Sequence, residues 1–184
     1  MKSSPLHQRV EFTFPAPGDL TGLNPFDTRD ICLRGVMTDP QGTRREVCGF
    51  ADRDHRLDPV PGDPKAIERA IPTGPLVFRA RVSACVAGRH DLKLWYELRG
   101  GRRVELEPIS FEAVPGVHPG HVRLGKNGTS FATEDGNPFY PIGSNLCWPN
   151  MMGHFAGQKL DDLRQMIERL AQHGGTAFRL WANT

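Results

Sequence analysis

The first 114 residues of the chain repeat apolar and polar positions with a period of two, the pattern of half-buried β-strands. The run from Asp91 to Leu98 is the clearest case, since every second residue is apolar. Turn-forming Gly, Pro and Asp residues separate such runs. Short alternating strands at this spacing predict an antiparallel β-sandwich, immunoglobulin-like in type. The predicted strands are Val10–Phe14, Asp30–Thr38, Arg44–Phe50, Leu76–Ser83, Asp91–Leu98, Arg103–Glu107 and Ser110–Val114.

Two stretches of this part, and the segment that follows it, lack the alternation. Residues 1 to 8 are predicted to be a loose tail. The charged and proline-rich stretch Asp52 to Pro75 predicts a long irregular connection, with about one turn of helix around Ala66 to Ala70. Pro115 to Gly120 contains two prolines and two glycines and is interpreted as a linker between domains.

After the linker the pattern changes. Asp135-Gly136, set between apolar residues, predicts a β-hairpin, because glycine accepts a positive φ without penalty. A helical period follows over Lys159 to His173, with Leu160, Leu163, Ile167, Leu170 and Ala171 on one stripe. Gly174-Gly175 suits a helix C-terminal cap, and Thr176 to Trp181 predicts a buried strand. Together with a short strand before the helix, these elements predict a βαβ unit with parallel strands.

Two domains are therefore expected, residues 1–118 and residues 119–184. The chain carries a net charge of +2, from 23 basic and 21 acidic residues, so no strong field favours a nucleic acid or a membrane surface. No apolar run approaches the roughly 20 residues of a membrane span. The first eight residues lack the apolar core of a signal peptide, so a cytoplasmic location is expected for the chain as written.

The cysteines and histidines show no metal-binding spacing. Cys32, Cys48, Cys85 and Cys147 lack a C-x-x-C motif, and reduced, buried thiols are expected, with a Cys32–Cys48 disulfide as the alternative. His118 and His121 are close in sequence and are interpreted as a solvated pair in the linker. Neither a metal ion nor another cofactor is expected.

A family resemblance rests on the second part of the chain. The pattern DG-x-PF-x-P-x-G-x-N-x-CWP, from residue 135, followed by GG-x-x-x-R-x-W, from residue 174, resembles the first two strands of a glycoside hydrolase family 5-like (β/α)8 barrel. In bacterial members a sandwich of the domain of unknown function 5060 type precedes the barrel. The upstream sequence fits that arrangement, and the chain is then expected to stop after the second barrel strand.

The resemblance implies a retaining glycosidase whose two catalytic glutamates lie on the fourth and seventh barrel strands, so no catalytic residue is assigned here. It also implies that Arg179 hydrogen-bonds the nucleophilic glutamate. In a strand from Thr176, Arg179 and Trp181 face the barrel interior, while Phe178 and Leu180 pack on helices. Asn145, Trp148 and Trp181 follow the strand ends and are candidate substrate-binding residues, because aromatic faces stack on sugar rings. Glu134, Asp135, Asp161 and Asp162 are interpreted as structural carboxylates.

Two other interpretations stay open. One is a non-catalytic β-sandwich that binds carbohydrate, and the other is a structural sandwich that packs against a catalytic barrel. The predicted helix and the strand after it favour the N-terminal part of a glycoside hydrolase over both alternatives, since an isolated sandwich has no role for them. The expected partner is a carbohydrate substrate in the complete protein, and the exposed barrel surface is expected to favour self-association.

Overall fold

The computed structural model describes residues 2–58, 69–147 and 160–181, and within these residues the chain is mainly β, with one short helix. The strands of the first 114 residues are β1 (Lys2–Pro5), β2 (Arg9–Pro15), β3 (Ile31–Thr38), β4 (Arg44–Asp52), β5 (His55–Asp58), β6 (Arg69–Pro72), β7 (Val77–Ser83), β8 (Gly88–Leu98), β9 (Arg102–Glu105) and β10 (Ile109–Val114). The later elements are β11 (Val122–Leu124), β12 (Phe131–Thr133), β13 (Pro138–Phe139), β14 (Gly143–Cys147), α1 (Leu160–Gln172) and β15 (Ala177–Trp181).

Eight strands form one large sheet in the order β1-β10-β8-β3-β4-β7-β2, with β9 paired to β8. All pairs are antiparallel except β1 with β10. The seven strands predicted from the alternation are all present, with ends that differ by at most three residues. The prediction of a mainly β, sandwich-like first part is thereby confirmed at the level of architecture.

Strand β4 changes partner in its middle and so links two parts of the large sheet. Its first half pairs with β3, up to Cys48 opposite Arg34, and its second half pairs with β7, from Gly49 opposite Ala80. A Cβ atom at Gly49 would lie 2.7 Å from Leu33 Cγ. Only glycine fits this close approach, so the change of partner at this point depends on residue 49.

The core lies where the two ends of the large sheet fold over each other. Phe12 of β2 and Phe111 of β10 come within 6.1 Å between ring centroids, and Phe78 of β7 meets Tyr96 of β8 edge-on at 5.1 Å. The Tyr96 hydroxyl donates a hydrogen bond to the Pro15 carbonyl at 2.6 Å, and burial raises the pKa of Tyr96 to about 12. Each large side chain buried here contributes roughly 1.5–3 kcal/mol.

On the outer side of β2 and β7, a carboxylate is held between two arginines. Arg81 Nε donates to Glu11 Oε2 at 2.6 Å, and Arg79 donates to Glu11 Oε1 at 2.8 Å. These hydrogen bonds, that of Arg81 first, lower the pKa of Glu11 to about 2. The cross-strand register places Glu11 opposite Arg81 and makes the contact possible.

Two sequence predictions for the first part are wrong. The segment Lys2–Pro5, expected to be a loose tail, is strand β1 and pairs in parallel with β10. Its residues are mostly polar, so its pairing through backbone groups leaves no hydrophobic pattern to detect. The stretch expected to be irregular contains the antiparallel hairpin of β5 and β6. Of the expected helical turn at Ala66–Ala70, the last two residues lie in β6 and the others lie outside the described residues.

The predicted hairpin at Asp135-Gly136 is confirmed. Strands β12 and β13 are antiparallel, and β11 completes a three-stranded sheet. Gly136 has a φ of 88°, and its N–H donates to the Thr133 carbonyl at 2.8 Å. The Asp135 carboxylate accepts hydrogen bonds from the Thr133 hydroxyl and the Asn137 N–H, which lower its pKa. Asp135 is therefore a structural residue of the turn, as the sequence predicts.

The predicted strand, helix and strand of the second part are also present. β14 and β15 pair in parallel, and α1 lies between them in sequence. The helix ends in a Schellman motif, in which Gly175 N–H donates to the Leu170 carbonyl at 2.8 Å and Gly174 N–H donates to the Ala171 carbonyl at 3.1 Å. Gly174 has the required positive φ of 80°. Among the described residues the sheet of β14 and β15 contains no third strand.

The chain divides into two compact units. The first contains residues up to Arg53, Gly74–Arg123 and Thr133–Asn137, and the second contains Asp54–Thr73, Leu124–Ala132 and the residues from Pro138 onwards. The predicted boundary at residue 118 lies near one edge of the first unit. No helix among the described residues is long and apolar enough to cross a membrane.

Candidate functional site

Two of the candidate site residues lie side by side on β14 and β15. The parallel register pairs Asn145 with Arg179, and both side chains are exposed. Residues paired in register point to the same face of a sheet, so the amide and the guanidinium share one face. Gly143 and Ala177, the first pair of the two strands, lie on the same face and leave it nearly free of large side chains next to Asn145 and Arg179.

Hydrogen bonds around Thr176 fix the entry into both strands. The Thr176 hydroxyl donates to the Tyr140 carbonyl at 2.5 Å and accepts from the Ile142 N–H at 3.0 Å. The Thr176 N–H donates to the Ile142 carbonyl at 2.8 Å. The Thr176 side chain thus connects the residues before β14 to the start of β15. These hydrogen bonds help to set the register that pairs Asn145 with Arg179.

A shallow pocket of about 300 Å³ opens next to this pair and is lined by Pro141, Gly143, Ser144, Asn145, Ala177, Phe178 and Arg179. Its polar groups are a hydroxyl, an amide that both donates and accepts, and a guanidinium that only donates. Among the residues that the structure describes, no carboxylate lines the pocket. The arrangement can therefore bind hydroxyl or carboxylate groups, but it does not contain an acid/base pair.

The other expectations for this site have mixed outcomes. Trp148 lies outside the described residues, as does the whole loop between β14 and α1, residues 148–159. Trp181 is the last residue of β15 and pairs in register with Cys147. Phe178 and Leu180, expected to pack on helices, are 45% and 47% exposed. In the described part of the chain, α1 is the sole helix that could cover them.

The cysteines of the first part are free thiols, and they differ in burial. Cys32 is buried, Cys85 is half-buried and Cys48 is exposed, so the expectation of buried thiols is wrong for Cys48. The reason is the alternation of β4, in which the neighbouring Val47 takes the buried position. The alternative Cys32–Cys48 disulfide is not formed, since β4 pairs Cys48 with Arg34.

The fold brings together a second group of polar side chains that no sequence motif indicates. His7, Cys85, His121 and Glu134 each place a potential metal-ligand atom within 4.8 Å of the others. The sequence predicts His121 to be part of a solvated pair in the linker and Glu134 to be a structural carboxylate. The four residues come from separate parts of the chain, and His7 belongs to the segment expected to be a loose tail. Their spacing matches no known motif, so only the fold reveals the group.

Glu134 is the centre of this group. One carboxylate oxygen, Oε1, accepts from Arg123 at 2.7 Å, and the other, Oε2, accepts from the His121 N–H at 3.2 Å. The backbone donor, followed by the Arg123 guanidinium, lowers the pKa of Glu134. The carboxylate is thus held ionised with Oε2 directed toward His7, whose Nδ1 lies 3.3 Å away.

Comparison with known proteins gives no match: no protein-family model, no curated protein and no solved structure resembles the chain significantly.

Proposed function

We propose that the chain is the N-terminal portion of a glycoside hydrolase that acts on O-glycosyl bonds of a polysaccharide or glycoside. In this proposal the first part is an immunoglobulin-like sandwich, and the second part is the start of a (β/α)8 barrel. The observation that supports it is the pairing of Asn145 with Arg179 on adjacent parallel strands that a helix connects. Active sites of such barrels are built from residues at the strand ends.

The two polar side chains fit complementary roles in this reaction. A guanidinium next to a carboxylate keeps it ionised and orients it through paired hydrogen bonds, which is what a nucleophilic glutamate requires. An amide beside it offers one donor and one acceptor to a sugar hydroxyl. The pocket of about 300 Å³ next to Asn145 and Arg179 is open enough to take the edge of a sugar ring.

The test uses the complete reading frame that contains this chain. Arg179→Ala is expected to lower kcat by about 10²–10³-fold, the usual cost of removing one preorganised electrostatic contact. Arg179→Lys retains the charge but not the fork of donors, so it is expected to recover only part of the loss. Arg164→Ala is a matched control, because Arg164 is an exposed arginine of α1 that pairs with Glu168 at 2.7 Å.

The circular dichroism of each variant shows whether the fold is kept. Wild-type turnover in the Arg179→Ala enzyme would contradict the assignment of β15 to an active site. Turnover of aryl glycosides or β-glucan by the 184-residue chain itself, abolished by a substitution within it, would contradict the assignment of the catalytic glutamates to other parts of the protein.

A carbohydrate-binding sandwich without catalysis is the second candidate. Trp95 of β8 lines a depression of about 90 Å³ on the large sheet, together with Arg34, Glu46 and Cys48. An aromatic ring rimmed by polar groups is a common sugar-binding surface. However, the Arg103 guanidinium lies 3.6 Å from the centre of the Trp95 ring and covers one of its faces.

Glycan-array binding distinguishes the two candidates. Two results together would favour the binding module: Trp95→Ala abolishes glycan binding, and the complete protein hydrolyses no glycoside. Binding that is unchanged in Trp95→Ala would exclude this surface as the sugar site.

A further inference from the structure

Four short segments of the first unit converge on one small polar site. His7 lies in the turn after β1, Cys85 lies in the loop between β7 and β8, and His121 and Glu134 lie near the starts of β11 and of the β12–β13 turn. One atom from each residue lies within 4.8 Å of the other three. The set offers two imidazoles, one thiol and one carboxylate, all of which are zinc ligands.

The backbone of His7 is held in an unfavourable conformation. Its φ of 62° makes it the one non-glycine residue with a positive φ among those described. The flanking hydrogen bonds maintain this geometry: His7 N–H donates to the Ala84 carbonyl, and Leu6 N–H donates to the Val114 carbonyl, both at 2.8 Å. Strain of this kind persists where surrounding structure enforces it, and it concentrates at functional sites.

The side chain of His7 adds an independent observation. The His7 ring is 13% exposed, and its Nδ1 atom is buried without a hydrogen-bond donor or acceptor in good geometry. A buried polar atom without a well-formed hydrogen bond is costly, and native structures rarely keep one without a reason. Nδ1 lies 3.3 Å from Glu134 Oε2. This separation equals the edge, about 3.3 Å, of a tetrahedron built on zinc bonds of about 2.0–2.1 Å.

Residues around the site support the ligand atoms. Arg123 holds Glu134 Oε1 at 2.7 Å and leaves Oε2 facing His7. Arg45 donates to Cys85 Sγ at 3.5 Å and so holds the sulfur in place beside the other three residues. Such outer contacts orient the ligands in known metal sites.

We propose that His7, Cys85, His121 and Glu134 form a zinc site. Four protein ligands leave no open position, so the ion is structural and joins the turn after β1 to the β7–β8 loop and the residues around Glu134. The mixed nitrogen, sulfur and oxygen set favours zinc over magnesium or calcium, which prefer oxygen ligands alone. His118 lies near His7, with ring centroids 5.9 Å apart, but its Nδ1 accepts from the Gly120 N–H and it is outside the ligand set.

The experiment measures metal binding by the tag-free, reduced 184-residue chain. Co²⁺ is added first, because one thiolate in a tetrahedral site gives a sulfur-to-cobalt charge-transfer band and intense visible bands. Zinc is then titrated against a chromophoric chelator to measure stoichiometry and Kd. We expect one ion per chain, and we expect zinc to abolish both cobalt signals by displacement.

Substitutions identify the ligands. Cys85→Ala is expected to remove the charge-transfer band, while Cys48→Ala, at an exposed cysteine outside the site, leaves it unchanged. His121→Ala is expected to weaken zinc binding by more than about 100-fold, beyond the usual loss for an outer-contact residue. His55→Ala, at an exposed histidine of β5, is the matched control.

Circular dichroism confirms that each variant keeps its β structure, and Glu134→Gln replaces any variant that does not fold. In Glu134→Gln a neutral amide of the same size takes the place of the carboxylate, and zinc affinity is expected to fall while the fold stays. Absence of a charge-transfer band in the wild type, or equal zinc affinity in the wild type, His121→Ala and Glu134→Gln, would overturn the proposal.

Discussion

Replacing His7 by glycine separates the backbone strain at this residue from its proposed role as a zinc ligand. A non-glycine residue in the left-handed region costs about 1–2 kcal/mol, and glycine removes that cost. Glycine in turn loses about 0.5–1 kcal/mol more conformational entropy on folding. Without metal, the His7→Gly variant is therefore expected to be as stable as the wild type or more stable by up to about 1.5 kcal/mol.

Zinc is expected to reverse this order. At a free zinc concentration of about 100 times Kd, the wild type gains about 2.7 kcal/mol of stability, because the ion binds the folded state. The His7→Gly variant lacks one of the four ligands and is expected to gain little. The wild type then becomes the more stable protein by roughly 2 kcal/mol.

Urea denaturation followed by circular dichroism measures both states, once with a chelator and once with buffered zinc. His7→Asn is the matched control, since asparagine also tolerates the left-handed region but provides no imidazole. Equal responses of the wild type and His7→Gly to zinc would refute the ligand role. A metal-free His7→Gly variant that is less stable than the wild type by more than about 1 kcal/mol would show that contacts of the ring outweigh the strain.

Further predictions concern the core and the charged surface of the large sheet. Phe78→Ala is expected to lower the free energy of unfolding, measured by urea denaturation, by about 3–5 kcal/mol, because it leaves a cavity beside Tyr96. Phe178→Ala, at a 45% exposed ring, is expected to lower it far less. Equal losses would contradict the assignment of Phe78 to the core. The pKa of Glu11 is lowered from 4.5 to about 2, so its ion pairs stabilise the fold above pH 4.5 and lose their effect as the pH falls toward 2. Glu11→Gln is expected to flatten that acid-side decline in denaturation midpoints, while Glu46→Gln, at an exposed site on β4, leaves it unchanged.

The large sheet was predictable where side chains alternate and unpredictable where backbone pairing alone makes a strand. In β8 every second residue is buried, so the pattern gives the strand and its inner face directly. β1 contains Lys2, Ser3 and Ser4, and its parallel pairing with β10 depends on an edge that exists only after the sheet has formed. The β5–β6 hairpin was missed for a related reason, since Pro72 marks a turn in sequence but is tolerated at the end of an edge strand.

The two candidate sites differ in how much of each the sequence could reveal. Asn145 and Arg179 belong to one βαβ unit, whose helix period and terminal glycines are local signals, so their proximity follows from short-range order. The site of His7, Cys85, His121 and Glu134 depends on contacts between segments that are far apart in sequence. The positive φ of His7 also has no signature in a chain where glycine usually takes that role.

The proximity of Asn145 and Arg179 also depends on Gly143, a residue without a side chain. A Cβ atom at Gly143 would overlap the Ala177 carbonyl oxygen, so β14 and β15 can start in register only if residue 143 is glycine. A slip of one residue between the strands would place Asn145 opposite Phe178 or Leu180 and turn its amide away from the guanidinium. Gly143 thus sets the register, Thr176 fixes the entry of both strands by hydrogen bonds, and the pairing of amide with guanidinium follows from the two.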